Sequence, residues 1–490
     1  MLFNALRGAS LRCAALPRMA PLQASATRSI FSIASRSRIV STPKVLAASL
    51  RSVQPVSRTS ILQILGQSRL HSSAKSSEPV AVAANASPES DPLPILPSPA
   101  VGGWLMASAA LVLAIIVVGG VTRLTESGLS ITEWKPITGV IPPLTREDWE
   151  VEFAKYKETP EFKLLNHSIS IEDFKSIFFW EWSHRVLGRL IGLAFVGPLA
   201  YFAVRKKIDG PMTRRLFGLG LLIGFQGALG WYMVKSGLDQ NLMETPGSVP
   251  RVSQYRLAAH LGTAFLLYLG MFGTGMAVIK DWKFAHGKPW SGANGDIAQI
   301  LQNPIVKRIK IASWGLAGLV FLTALSGAFV AGLDAGLLYN EFPLMGGRLA
   351  PPAEELFDPR YAKSANKSDL WWRNLLENPT TVQFDHRCLA ITTYFSTAAL
   401  YLSTLKPAVR SALPPLANTA IRAAFTMANI QVLLGISTLL YLVPIPLAAA
   451  HQAGSVMLLS AMTHVLIALR RPGVAARMWR AAKAAGKKQQ

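Results

Sequence analysis

The sequence predicts an all-α membrane protein, with eight transmembrane helices arranged as two pseudo-symmetric four-helix bundles. Three observations predict it. Half of the 490 residues are hydrophobic and only 16% are charged. Stretches without Asp, Glu, Lys or Arg run from Pro92 to Thr122, Leu216 to Val234, Leu257 to Ile279 and Ile311 to Leu333, each near or above the ~18 apolar residues that cross a bilayer. Polar residues recur at matching places in the two halves. The net charge of +23 does not point to nucleic acid, because the excess sits in a leader and in loops rather than on one folded surface.

Residues 1–75 are rich in Arg, Ser and Ala. The first 77 residues hold eleven Lys and Arg and no acid, which leaves +12 for the rest. With no long apolar core, this segment reads as a mitochondrial transit peptide rather than a secretory signal. Residues 76–99, rich in Pro, Ala and Ser, form a flexible linker. The two cysteines, Cys13 and Cys388, build neither a disulfide framework nor a metal site.

Apolar runs and their breakers place spans near residues 100–122, 178–204, 215–235, 254–279, 310–333, 384–405, 418–442 and 448–469. Domain limits follow: an N-terminal bundle over 100–280, a matrix linker over 281–309, a C-terminal bundle over 310–470 and a basic tail over 471–490. The connection from Arg123 to Lys175 mixes ten acidic with seven basic residues, and the one from Asp334 to Gln383 is also mixed. The loop between spans two and three carries Arg205, Lys206, Lys207, Arg214 and Arg215 against Asp209, and the tail carries seven Lys and Arg and no acid. Positive charge marks the matrix face, so both termini lie in the matrix of an inner-membrane protein and the mixed loops lie outside. Spans seven and eight, parted only by Val443 to Leu447, form a hairpin.

The halves read as parallel repeats. Gly119 and Gly128 match Gly327 and Gly336 at the same nine-residue interval. Glu181-x-x-His184-Arg185 matches Gln383-x-x-His386-Arg387, Gln226 and Gly230 match Gln431 and Gly435, and His260 matches His451. The four repeated histidines lie near the outer ends of spans two, four, six and eight, one to two turns deep at ~1.5 Å per residue. Facing imidazoles across a bundle suit the two axial positions of a haem iron, which gives one pair per half, His184 with His260 and His386 with His451. Zinc would need further ligands, and no Cys or carboxylate recurs in both halves to supply them.

Arg185, Arg189 and Arg387, with Arg256 one turn before His260, have two readings: charge-assisted contacts to haem propionates, or snorkelling and pairing with loop carboxylates. Glu181 has no acidic counterpart, since Gln383 stands in its place. It is read as a general base or charge stabiliser beside one iron, or as an i,i+4 ion pair with Arg185. The N-terminal half is therefore the expected reaction site and the C-terminal half the expected resident-cofactor site. Trp134, Trp149 and Trp180 are read as interfacial anchors or as a cap on the first site.

At these residues the sequence resembles the haem A synthase family, in its eukaryotic mitochondrial type. The run from Gly128 to Pro143 (GLSITEWKPITGVIPP), the Glu181-x-x-His184-Arg185 motif with Gly188-Arg189, and the Gln383-Phe-x-His386-Arg387 motif carry the resemblance, which covers about residues 100–470. It implies an oxidoreductase that converts the C8 methyl of haem O to the formyl of haem A for cytochrome c oxidase. His184 and His260 then hold haem O, Glu181 assists at the methyl group, and His386 and His451 ligate a permanent haem b. It also implies an upstream haem O synthase (a farnesyltransferase), a ferredoxin-type electron donor and oxidase assembly factors as partners. Bacterial relatives often carry a cysteine pair in the first external loop; this chain has none there. Gly-rich helices are compatible with self-association. A two-haem cytochrome b-like electron-transfer subunit and a haem carrier are the rival readings.

Overall fold

The computed structural model describes residues 92–244 and 249–486, so the transit-peptide reading of 1–75 and most of the linker lie outside the described residues. Regular structure there is helical, apart from one isolated β-bridge between Met345 and Arg348. Helix α1 (Pro99–Leu124) is followed by two short external helices, α2 (Arg146–Lys157) and α3 (Pro160–Leu164), and then by α4 (Ile171–Val204), α5 (Gly210–Gly237) and α6 (Gln254–Ala285). The short α7 (Ile297–Gln302) leads to α8 (Pro304–Gly332), and α9 (Ala353–Leu356) and α10 (Leu370–Glu377) precede α11 (Pro379–Ser403). The chain ends with α12 (Pro407–Ala412), α13 (Pro415–Leu440), α14 (Ile445–Ala468) and α15 (Val474–Ala484), the last lying within the stretch read as a tail.

Several long helices start five to seven residues before the hydropathy edge. Ser170, Asp209, Asn303 and Asn378 each accept a hydrogen bond from a backbone N–H of the first turn, and Pro occupies the first turn of α5, α8 and α11. Capping chemistry sets a helix start, whereas apolarity marks only the part suited to lipid.

Among the described residues seven helices are long and apolar enough to cross a membrane: α1, α4, α5 with the turn that extends it to Met243, α6, α8, α13 and α14. The eighth expected span, α11, forms as a helix, but Thr380, Thr381, Gln383, Asp385, His386 and Arg387 make its first two turns polar. In packing, α1 lies on α4 and α6, and α5 lies on the same two helices. Likewise α8 and α13 each lie on α11 and α14. Across the middle, α6 meets α8 and α14, and α1 meets α14. One apolar core runs through all of this, from Leu105, Phe195, Leu216, Phe265 and Met271 to Val320, Ile421, Met462 and Val465. Gly102 and Gly275 let α1 and α6 touch: a Cβ on either would stand 3.0–3.1 Å from the other's carbonyl oxygen.

The first external connection has a small core of its own. Tyr156, Phe174 and Phe178 are buried, with Trp149, Phe153 and Phe162 against them. Trp149 meets Phe178 edge-on at 5.1 Å between ring centroids, so it packs this layer onto the outer end of α4 rather than standing alone as an anchor.

Candidate functional site: two facing histidine pairs

His184 on α4 and His260 on α6 face each other across the four helices α1, α4, α5 and α6. Their ring centroids are 6.3 Å apart and their planes are inclined at 61°. His386 on α11 and His451 on α14 do the same among α8, α11, α13 and α14, at 6.5 Å and 90°. The four histidines singled out by the repeat therefore come together as the two expected pairs.

Each ring is seated against a glycine of a neighbouring helix. A Cβ at Gly119 would lie 3.1 Å from His184 Nε2, and one at Gly230 would lie 3.4 Å from His260 Cε1. At Gly327 it would lie 3.4 Å from His386 Cε1, and at Gly435 3.1 Å from His451 Cε1. The matched glycines are the floors on which the imidazoles lie.

A second repeated residue fixes the helix that carries each distal histidine. Gln431 donates to the carbonyl of His451 at 3.1 Å. In the first half Gln226 donates to Thr263 Oγ1 at 2.6 Å, and that hydroxyl contacts the His260 carbonyl at 3.1 Å. Thr263 occupies the place of Gly454, where a Cβ would run into the Gln431 amide. The Thr263 hydroxyl is nearer still to the Ala259 carbonyl, at 2.7 Å, so in the first half the glutamine holds the turn that carries His260 through a hydroxyl, and in the second it reaches the histidine carbonyl directly.

The ring nitrogens suit a metal. Nδ1 of His260 and of His451 is buried with no hydrogen-bond partner among the described residues. His386 Nδ1 lies 2.7 Å from Ser326 Oγ, and Ser326 gives its one proton to the Thr323 carbonyl. The imidazole must then donate from Nδ1, which leaves the Nε2 lone pair for a metal. Two metal–nitrogen bonds of about 2 Å, with the short step from each nitrogen to its ring centre, account for centroid separations of this size. Among the described residues no three or more of His, Cys, Asp and Glu gather at one point, so side chains alone do not complete a zinc site. A porphyrin brings four nitrogens and needs only two axial ligands. The pairs fit a haem.

Glu181 is buried, 3% exposed. One oxygen takes Arg185 Nη2 at 2.6 Å and Nε at 3.1 Å, and the other takes Ser130 Oγ at 2.7 Å and the Ile131 N–H at 2.8 Å. Arg185 also donates to the carbonyls of Ile131 and Glu133, and Arg189 to those of Lys135 and Pro136. In the second half Gln383 and Arg387 both donate to the Tyr339 carbonyl, and Arg387 also to Leu344. Glu181 and Gln383 thus share one position and one task, clamping the preceding external loop to the histidine helix. The i,i+4 ion pair is formed, and each of Arg185, Arg189 and Arg387 gives two N–H donors to loop carbonyls. Arg189 Nη1 and Arg387 Nε stay buried without partners among the described residues. Arg256 stacks on Tyr232 at 3.6 Å and donates to its carbonyl.

Sequence reasoning passed over Ser326 and Thr263, although each is placed by the repeat, Ser326 directly before Gly327 and Thr263 three residues after His260. It also passed over Asp334, which takes Arg123 at 2.7 Å and Arg251 at 2.9 Å. Outside the spans, burial pushes the Glu161 carboxyl up to about 8, against the hydrogen bond from Tyr156 and with Glu126 and Glu181 adding to the rise.

The family model for cytochrome oxidase assembly protein, COX15-CtaA, matches residues 102–463 and so takes in all four histidines. The chain belongs to this family. Similar members include Heme A synthase COX15 of Saccharomyces cerevisiae, 49% identical over 369 residues and covering 75% of each chain. Heme A synthase COX15 of Homo sapiens is 45% identical over 371 residues, 76% of this chain and 83% of that one. The Heme A synthase-mitochondrial ferredoxin fusion protein of Schizosaccharomyces pombe is 51% identical over 368 residues, 75% of this chain and 59% of that one. The family match spans both histidine pairs and the helices between them.

Proposed function

We propose that this chain is a mitochondrial haem A synthase, an oxidoreductase that converts the C8 methyl of haem O to the formyl group of haem A for cytochrome c oxidase. The observation that carries the reading is the duplicated pair of facing imidazoles, each on a glycine floor, inside a chain whose relatives are named heme A synthases. The two-haem electron-transfer alternative is not favoured by those names.

In this reading all eight long helices cross the inner mitochondrial membrane. Helix α11 is the eighth span, its polar first turns shielded by the loop that Gln383 and Arg387 hold down. The spans form two four-helix bundles, residues 100–280 for the substrate and 310–470 for the cofactor, joined by 281–309. Residues 1–75 are the transit peptide and 76–99 the lead-in, and both ends, including the basic 471–490, lie in the matrix.

His184 and His260 hold the iron of haem O as substrate, and His386 and His451 that of a resident haem b. The resident haem supplies one-electron redox chemistry. The chain's own residues do the rest. Gln226 with Thr263, and Gln431, fix the helices that carry His260 and His451, and Ser326 sets the tautomer of His386. Arg185, Arg189 and Arg387 hold the loops over the haem edges and turn their remaining donors toward propionates. Glu181, alone of the two clamp residues in carrying a carboxylate, provides the acid–base group at the reacting methyl. Haem O arrives from the farnesyltransferase that makes it. Electrons come from a ferredoxin, a pairing supported by the ferredoxin fusion in the Schizosaccharomyces pombe relative. Oxidase assembly factors take the product onward.

The test is incubation of the purified protein with haem O and an electron source, with pigments followed by mass spectrometry. Alcohol and aldehyde products are expected. Unchanged haem O under reducing, aerobic conditions overturns the reading.

A further inference from the structure

We propose that a cavity beside Arg185 is the seat for the propionates of the exchangeable haem, and that Lys235 is the cation that makes this site reversible and distinct from the other. The inference rests on the reading of His184 and His260 as the substrate pair.

The cavity has a volume of about 280 Å³ and lies between the loop after α1 and the outer end of α5, lined by Thr132, Glu133, Trp134, Arg185, Trp231 and Lys235 among others. Its place follows from two floors. Arg185 adjoins His184 in sequence, and Lys235 lies five residues beyond Gly230, the floor of His260, roughly 7 Å further out at 1.5 Å per residue. The cavity therefore sits just outward of the imidazole pair, where the polar edge of a haem held edge-up between those rings would emerge.

The charges in the cavity favour a carboxylate. Of its two acids, Glu133 pairs with Lys135 and Lys155, and Asp239 keeps its charge while one of its oxygens accepts from the backbone N–H of Asn241. Lys235 lies over the Trp231 ring at 5.5 Å and makes no ion pair among the described residues. Four of the five N–H donors of Arg185 are spent on Glu181, Ile131 and Glu133, which leaves one on Nη1. Lys235 and the spare Nη1 donor of Arg185, with Asp239 as the one lining acid that has no ion pair among the described residues, offer an anion two donors at the protein–water boundary, where an amphipathic ligand can enter and leave.

The second half lacks this arrangement. In the register set by Gln226 with Gln431 and Gly230 with Gly435, Lys235 corresponds to Leu440, and in the register set by His260 with His451, Arg256 corresponds to Leu447. Arg185 and Arg387 match, but at these two further positions the first half carries a cation and the second a leucine, as expected if one haem passes through and the other stays.

The test uses the full-length protein with its resident haem, titrated by absorbance with haem O and with haem O dimethyl ester, whose propionates carry no charge. Wild type is expected to bind the acid about tenfold or more tightly than the ester. K235L, which copies Leu440, should lose most of that preference, and K235R should keep it, with resident-haem content unchanged in both. Equal binding of acid and ester by wild type, or an undiminished preference in K235L, overturns the proposal; the wild-type comparison decides the matter even if K235L does not fold. H184A separates the two levels. If it abolishes haem O binding while the acid–ester preference is missing from wild type, only the propionate seat fails; if it leaves haem O binding intact, the substrate pair itself is misassigned.

Discussion

Ser326 Oγ and His386 Nδ1 lie 2.7 Å apart, and the serine proton is committed to the Thr323 carbonyl. This side-chain bond fixes one imidazole of the second pair, while the Nδ1 atoms of His260 and His451 have no such partner among the described residues. A partner of this kind orients a metal ligand and raises its basicity, and its loss typically costs about 10–100-fold in affinity. Ser326→Ala should therefore deplete haem from the second pair and spare the first. Haem content per protein, with the spectrum of each site resolved by potentiometric titration, checks it.

The glycine floors give a local test with a built-in control. Gly→Ala in a helix interior is worth up to ~1 kcal/mol of added helix stability, so any loss must come from the new methyl. At Gly119 and Gly435 that methyl would press on an imidazole at 3.1 Å, whereas at Gly103 a Cβ meets nothing within 4 Å. Gly119→Ala should disturb the spectrum of the first pair and Gly435→Ala that of the second. Gly103→Ala should leave both spectra unchanged and melt no lower than wild type.

The pairing was legible because it is carried by repeated, rare residues. An imidazole costs too much in an apolar helix to be scattered by chance, so His184, His260, His386 and His451 stood out, and Gly119, Gly230, Gly327 and Gly435 emerged as matches before their contact with those rings was visible. The arginines were less legible. Their position on the helix follows from spacing, but their partners are the carbonyls of Ile131, Glu133, Lys135, Pro136, Tyr339 and Leu344, and the path of an irregular loop leaves no periodic trace. The external layer was hidden for the same reason. Tyr156 and Phe162 come from two short helices and Phe174 from the first turn of α4, and only folding brings them together. The polar start of α11 leaves that helix short of the apolar length of a span, and two of its polar side chains, Gln383 and Arg387, donate to loop carbonyls that sequence does not reveal.

Glu181 and Gln383 divide a shared clamp from a chemical role. In Glu181→Gln the side chain keeps an oxygen for Ser130 or the Ile131 N–H but loses its charge toward Arg185. Breaking a buried pair destabilises by ~3 kcal/mol, so a lower melting temperature is expected. If the carboxylate serves the methyl group, conversion of haem O should also fall by about 10² or more, with haem bound at both pairs. A variant that still makes haem A at near wild-type rate, merely melting earlier, would limit Glu181 to the clamp.

The external layer should weaken as pH rises. Glu161 ordinarily titrates near 4.5, but burial raises it to about 8 in the folded layer, where Tyr156 hydrogen-bonds to it and Asn166 to Tyr156. The folded layer therefore holds a proton that the unfolded one releases between these two values. Its stability is greatest below about 4.5, declines across the interval and levels off above about 8. Because Glu161 sits on α3, which packs with α2 outside the spans, the loss should appear as local opening of residues 146–174 rather than of the whole protein. Limited proteolysis or hydrogen exchange at pH 6 and pH 8.5 should show faster opening at the higher pH. Glu161→Gln, which cannot ionise, should open equally slowly at both; a pH response that survives this substitution would place the titrating group elsewhere.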